Sequence, residues 1–345
     1  MKGIQQASLE AYFESEIQGA KAPLEFSLIT GGHSNLTFLV VDAAGAKRVL
    51  RRPPTGAVLA TAHDMAREHR ILSALSGTDV PVPRTVALCE DESVNDAPFY
   101  VMDYIEGSVL TTPEEADAEV PKNRREPLGL HIIETLGALH KIEPTDVGLG
   151  DLGRREAYLS RQLKRWKTQW EKSKTRELAL MDEAHRALEE RMPEQQGAAI
   201  VHGDYRIGNF LTNGSAGRIE AVLDWELCTL GDPLADVGYL MNDWNQPNET
   251  RPSASGTGVS ATSCGGFPTR ETLLARYEAI TGNDTSQIDY YRAFQYWRLA
   301  AIVEGVLSRY KKGVMGDAGD TDRFQKQVDN LAEAAIELLA SGAAD

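Results

Sequence analysis

Between residues 24 and 50, apolar and β-prone positions come in three short runs, 24–29, 36–41 and 48–50, separated by Gly31-Gly32 and by Gly45. Runs of this length bounded by glycine predict three short antiparallel strands. Ahead of them, Leu9, Tyr12, Phe13 and Ile17 fall near one face of a helix over 4–18. After them, "TAHDMAREHRILSAL" predicts a helix that packs through Met65, Ile71, Leu72 and Leu75. Val80 to Leu88 and Phe99 to Tyr104 read as two more strands, with "DESVNDA" as the turn between them. The first hundred residues are therefore a small sheet with one conspicuous helix.

The pattern changes at Gly107 and "TTPEEADAEVPKNRRE". Beyond Pro127 the chain is mainly helical, and Ile132, Ile133, Leu136 and Leu139 recur at helical spacing within 128–142. "REAYLSRQLKRWKTQWEKSKTRELALMDEAHRALEERM" is a long polar helical region with a break. Its Trp166 and Trp170 lie on one face and pack this arm against the body. Residues 242–270 form a Ser/Thr/Gly/Pro-rich loop of a length that is uncommon unless functional. Helices resume at 270–281, 287–312 and 322–340. At 345 residues the chain exceeds a comfortable single core, so two domains or lobes are expected.

Composition narrows the function. The formal charge of −15 opposes broad nucleic-acid binding, which needs many cations on phosphate. It leaves room for a small anion in a locally basic pocket. No apolar stretch approaches the length of a membrane span, and the N-terminal residues lack a secretory apolar region. The expected location is cytoplasmic. Cys89, Cys228 and Cys264 are too few and too widely spaced for a disulfide framework or a cysteine zinc site, and no HExxH occurs.

The chemistry concentrates in "VHGDYRIGNFL", residues 201–211. "AAIVHG" and "NFLTN" are strand-like, and Gly214 and Gly217 predict a hairpin back into "IEAVLDWE". That hairpin sets Asn209 beside Asp224. A carboxylate and an amide are hard oxygen ligands suited to Mg²⁺, which also keeps water and substrate phosphates. Asp204 is left to orient or deprotonate an attacking hydroxyl. One base, two metal-holding side chains and little covalent work suit phosphoryl transfer.

HGDxxxxN, the following DWE and "GDPLADVG" resemble the aminoglycoside phosphotransferase and choline kinase group, which has the protein-kinase-like fold. "VLRRPPTG", "AHDMAREHRILSAL", "VGLGDLGRREAYLSRQLKRWKTQW" and "FQYWRLAAIVEGV" are similar to the kinase-like domains fused ahead of acyl-CoA dehydrogenase domains, and the chain resembles the stand-alone form of these domains. The resemblance implies a two-lobed α+β fold, with an antiparallel-sheet lobe over 1–102 and a mainly helical lobe over 103–345. It implies ATP or GTP and Mg²⁺ between the lobes. Asp204 matches the catalytic base, Asn209 and Asp224 the metal ligands, and Arg206 a cation near the transferred phosphate. Arg51 replaces the phosphate-pairing lysine, with Glu68 as its helix partner, and its neighbour Arg52 is expected on the opposite face as a solvated or surface-paired charge. Ser34 and Asn35 belong to the phosphate-covering turn. Met102, Asp103 and Tyr104 belong to the connector that meets the purine. Asp236 matches an anchor of the catalytic loop. The acceptor is a small hydroxylated metabolite, with a hydroxyacyl-CoA or hydroxy acid preferred to an aminoglycoside. A nucleotide-binding pseudokinase is the alternative of a different class.

Overall fold

The computed structural model describes residues 1–29, 35–55, 63–249, 258–313 and 321–341. The N-terminal lobe is a five-stranded antiparallel sheet of β1 (Glu25–Leu28), β2 (Leu36–Val41), β3 (Lys47–Arg52), β4 (Thr85–Cys89) and β5 (Phe99–Asp103), in the order β1-β2-β3-β5-β4. Helix α1 (Gln6–Glu16) lies under one face and α2 (Met65–Leu75) on the other; α3 (Glu92–Asn95) is one turn within "DESVNDA". Asp64 caps α2 by accepting from the Arg67 N–H at 2.9 Å, a contact worth about 1 kcal/mol.

The C-terminal lobe contains α4 (Pro113–Glu119), α5 (Lys122–Lys141), α6 (Tyr158–Ser173), α7 (Ala179–Glu190), α8 (Leu234–Asp243), α9 (Arg270–Thr281), α10 (Ile288–Lys311) and α11 (Asp322–Ser341). Short strands β6 (Ala199–Val201), β7 (Phe210–Asn213), β8 (Arg218–Val222) and β9 (Thr229–Gly231) lie between the helices. β7 and β8 form the expected hairpin, with Phe210 opposite Val222. β6 pairs with β9, a three-residue strand too short to leave a periodic signal. α5 starts well before Pro127, because its first turns are polar and carry no apolar period.

The sheet separates two cores. Leu9, Phe13, Phe38, Leu50, Phe99 and Val101 pack beneath α1. On the other face, Val49, Ile71, Leu72, Leu75 and Met102 belong to a core that runs without a break into the helical lobe. Strand alternation sends Arg51 and Arg52 to opposite faces. Arg52 is not solvated: it is buried, and it donates to the carbonyls of Gly3 (2.8 Å), Asn95 (2.8 Å) and Pro53 (3.1 Å). A buried cation must have its donors satisfied, and carbonyls supply that here in place of a surface acid.

Candidate active site

The segment 202–209 is fastened through its backbone. The buried Asp236 carboxylate of α8 accepts from the N–H groups of His202 (2.6 Å) and Gly203 (2.8 Å). Asp243, two turns further along α8, accepts from the Ile207 N–H at 3.0 Å. His202 Nδ1 accepts from the Asp204 N–H at 3.2 Å, so its Nε2 carries the proton and donates to the Leu223 carbonyl at 2.9 Å. Gly203 has φ +84°, and a Cβ there would stand 2.8 Å from the Leu227 carbonyl oxygen, so only glycine fits.

This scaffold sets three polar side chains. Asn209 Nδ2 donates to Asp204 Oδ2 at 2.7 Å and to the Asp204 carbonyl at 2.8 Å. That fixes the amide and turns Oδ1 into the group available to a hard cation. The Leu223 N–H donates to the Asn209 carbonyl at 2.8 Å, so the hairpin brings Asn209 next to the segment carrying Asp224. Asp224 itself has left-handed backbone, φ 64° and ψ 64°, a conformation that Asp tolerates better than most residues and that is concentrated at functional positions. Among the described residues no group of three or more His, Cys, Asp or Glu is arranged for a metal. The donor set at this point is one amide oxygen and one carboxylate, which fits Mg²⁺ that keeps water and phosphate oxygens.

From the sheet side, Arg51 reaches both lobes. Its Nε donates to Glu68 Oε2 at 2.9 Å and its Nη2 to Asp224 Oδ1 at 2.6 Å. Tyr100, opposite Arg51 in the sheet, donates to Glu68 Oε2 at 3.1 Å. Asn35 is buried, and its amide nitrogen donates to Glu68 Oε1 (3.0 Å) and Glu226 Oε2 (3.2 Å); its Oδ1 lies 2.8 Å from His63 Nδ1. Burial works against the charge on Arg51, yet Tyr100, Glu68, Asp224 and Glu226 outweigh it and raise its pKa. Burial raises the pKa of Glu68, with Arg51 opposing.

The other predicted residues are less tightly joined to this cluster. Arg206 Nε lies 3.5 Å from Asp204 Oδ1, and its guanidinium lies against Gly208, where a Cβ would make it shift. Burial opposes the charge on Arg206, while Asp204, Tyr239, Asp243 and Asp224 raise its pKa. Met102 is buried on β5. The Asp103 carboxylate is taken by Arg84 (2.8 Å) and Arg48 (3.5 Å), and its N–H donates to the Arg84 carbonyl at 2.9 Å. The Tyr104 ring lies 5.1 Å from Lys47 Nζ. Ser34 lies outside the described residues.

Sequence reasoning missed Tyr239, Asp243 and Glu226 as members of the site. Tyr239 is buried between Arg298 and the base: burial and then the Asp204 charge raise its pKa. The missed signal was spacing, since Asp236, Tyr239 and Asp243 fall at i, i+3 and i+7 on a helix that is otherwise apolar except for Asn242.

A cavity of about 1430 Å³ opens beside the loop. It meets the site through Glu68, Gly203 and Glu226; Asp204, Asn209 and Asp224 are not in its wall. Besides Arg298, eight of its cations, Arg67, Arg154, Arg161, Lys164, Arg165, Lys172, Arg309 and Lys312, make no ion pair among the described residues. Among the described residues, only Asp64, Glu68 and Glu226 supply acid to the wall. Lys167 does not share it and pairs with Asp182 and Glu171. Trp166 and Trp170 also part company: Trp166 lines the cavity and Trp170 is core. Trp297 is fully buried and donates to the Met181 carbonyl at 3.0 Å.

A sheet lobe facing a helical lobe, with this loop and hairpin between them, defines a protein-kinase-like fold. The model of the phosphotransferase enzyme family matches residues 25–259, and the chain belongs to that family. It is 31% identical to a Ralstonia eutropha chain of known structure provisionally named an aminoglycoside phosphotransferase, with 97% and 98% of the two chains covered and a TM-score of 0.81. The choline kinase of Cryptosporidium parvum shares the fold at 14% identity and a TM-score of 0.68, covering 97% of each chain. Acyl-CoA dehydrogenase family member 10 of Mus musculus is 33% identical over 336 residues, 96% of this chain. The chain spans only 31% of that relative's length, and the match is to its kinase-like domain. No helix among the described residues is long and apolar enough to cross a membrane.

Proposed function

We propose that the protein transfers the terminal phosphoryl group of a nucleoside triphosphate to the hydroxyl of a small anionic metabolite. Bound Mg²⁺-nucleotide would supply the phosphoryl group and the charge that neutralises it. Asn209 Oδ1 and the Asp224 carboxylate would hold the metal, and Arg51, steadied by Glu68, would turn from Asp224 toward the phosphates. Asp204 orients the acceptor hydroxyl and takes its proton. The Asn209 amide keeps that carboxylate aimed by donating to it. Arg206 offsets negative charge beside the base.

The single observation that carries the acceptor class is the wall of unpaired cations beside the loop in a chain of net charge −15. A polycationic acceptor would meet repulsion there, and an anionic one attraction. A hydroxy acid or hydroxyacyl-CoA has the matching charge. A second reading, an aminoglycoside acceptor, is favoured by the name given to the Ralstonia relative. Names of relatives support that reading better than they support an acyl-CoA one; the charge of the cavity opposes it.

Transfer of γ-labelled phosphate from ATP or GTP, measured over hydroxy acids, hydroxyacyl-CoAs, choline-like alcohols and aminoglycosides, tests both. Transfer to an anionic acceptor is expected. Preferential transfer to aminoglycosides would replace the first reading by the second. Tight Mg²⁺-nucleotide binding with no transfer to any of them would make the protein a nucleotide-binding pseudokinase.

A further inference from the structure

Helix α10 carries a buried cation, Arg298, to the acceptor side of Asp204, and no acid among the described residues pairs with it. Arg298 is 7% exposed and lines the cavity. Its Nη2 donates to the carbonyl of Gly203, the residue before Asp204, at 3.0 Å, and its Nη1 to Gln295 Oε1 at 2.8 Å. Its guanidinium carbon stands 5.5 Å from the Trp166 ring centre and 5.8 Å from that of Tyr239, so two aromatic rings fix its position. Among the described residues it makes no ion pair.

Other buried and half-buried arginines are settled differently. Arg125 pairs with Asp117 at 2.6 Å, Arg51 with two acids, and Arg52 is closed by three carbonyls away from this cavity. Arg298 has two neutral partners for five N–H donors and an open cavity beside it. A desolvated cation without a counter-charge is costly. A ligand anion arriving from the cavity would remove that cost. The tie to Gly203 places such an anion within one residue of the proposed base.

We infer that Arg298 receives an anionic oxygen of the acceptor, a carboxylate or a phosphate, and thereby sets the acceptor hydroxyl against Asp204. This deepens the phosphotransfer reading and rests on it for the identity of the acceptor side. The cationic wall supplies long-range attraction, whereas Arg298 supplies a fixed, directional contact.

The test is calorimetric titration of the full-length chain with inorganic phosphate, in the presence of Mg²⁺ and the non-hydrolysable analogue AMP-PNP to fill the nucleotide site. Saturable binding is expected in the parent protein, weakened about 10–100-fold in Arg298→Gln and partly retained in Arg298→Lys. Thermal unfolding of each variant reports folding; where Arg298→Gln does not fold, the loss in Arg298→Lys decides. Lys164→Ala is expected to change phosphate binding far less. Absence of phosphate binding in the parent, equal binding in the Arg298 variants, or dependence on Lys164 alone would overturn the inference. AMP-PNP binding with Arg298-independent phosphate binding leaves the phosphotransfer reading standing without it. Arg298-dependent phosphate binding in a chain that fails to bind AMP-PNP does the reverse.

Discussion

The two walls of the cleft hold their charged groups by different means. On the helical side, residues 202–209 are bolted through the main chain: Asp236 and Asp243 take three peptide N–H groups, and Arg298 takes a carbonyl. On the sheet side, Arg51, Glu68, Asn35, Asp224 and Glu226 are held mainly through one another, side chain to side chain. A main-chain anchor fixes a loop whatever rotamers its side chains choose. A side-chain network must order long, rotamer-rich groups, and this one crosses between lobes at Arg51–Asp224. The proposed base is therefore preset, while on the proposed reading phosphate and metal would compete for Arg51 and Asp224, and that side would have to rearrange.

The comparison breaks first at the base. Asp204→Asn keeps shape and hydrogen bonding on the bolted wall and removes only the proton acceptor. Phosphotransfer should fall about 10²–10⁴-fold, with Mg²⁺-nucleotide affinity within about twofold of the parent because the opposite wall is untouched. Single-turnover kinetics and a nucleotide titration give the two numbers. Full activity in Asp204→Asn would remove it as the base.

The anchor comes next. Asp236→Ala leaves the buried N–H groups of His202 and Gly203 without their acceptor, at about 1–3 kcal/mol for each. Asp236→Asn keeps acceptor oxygen and should cost less. Urea denaturation of both checks this, and a cost below about 0.5 kcal/mol for Asp236→Ala would mean that the loop is not bolted there.

Much of the bolted wall was legible because polar residues and glycine interrupt apolar runs at 201–211, and because Gly214 and Gly217 demand a hairpin that returns the chain to Asp224. Strand alternation separated Arg51 from Arg52 correctly, since period two is local. Where Arg52 ends was not legible: its carbonyl partners Gly3 and Asn95 come from distant segments. The anchor at Asp236 was anticipated, but Asp243 and Tyr239 were passed over because α8 reads as core. The seat of Arg298 on Gly203 depends on how α10 passes the loop, which no sequence spacing encodes.

On the side-chain wall the effects should be smaller. Lysine at position 51 keeps the charge but offers a point donor in place of a planar fork, so it cannot hold Glu68 and Asp224 with the present geometry. Arg51→Ala removes both bonds. Mg²⁺-nucleotide affinity is expected to fall about tenfold in Arg51→Ala, below the full value of a charge-assisted bond, about 1.5–3 kcal/mol, because the free state loses its Asp224 pair as well. Arg51→Lys should fall between it and the parent. A fluorescent-nucleotide titration measures both, and unchanged affinity in Arg51→Ala would place the phosphates away from this residue.

The smallest effect concerns Glu68 and pH. Burial raises its folded pKa above the ordinary 4.5, with Arg51 opposing. A carboxyl group whose pKa is raised on folding favours the folded state in its protonated form. That contribution is fully present below pH 4.5 and is lost as pH climbs through the folded value. The parent should therefore lose stability relative to Glu68→Gln as pH rises above 4.5, because the glutamine keeps hydrogen-bonding capacity and carries no desolvated charge. Removing Arg51 withdraws the opposing cation, so in Arg51→Ala the loss should extend to higher pH. Urea midpoints of the parent, Glu68→Gln and Arg51→Ala between pH 4 and pH 8 measure the difference. A parent that gains on Glu68→Gln over that range would mean that Arg51 outweighs burial, and that this wall is a permanent ion pair in place of a clasp that nucleotide can open.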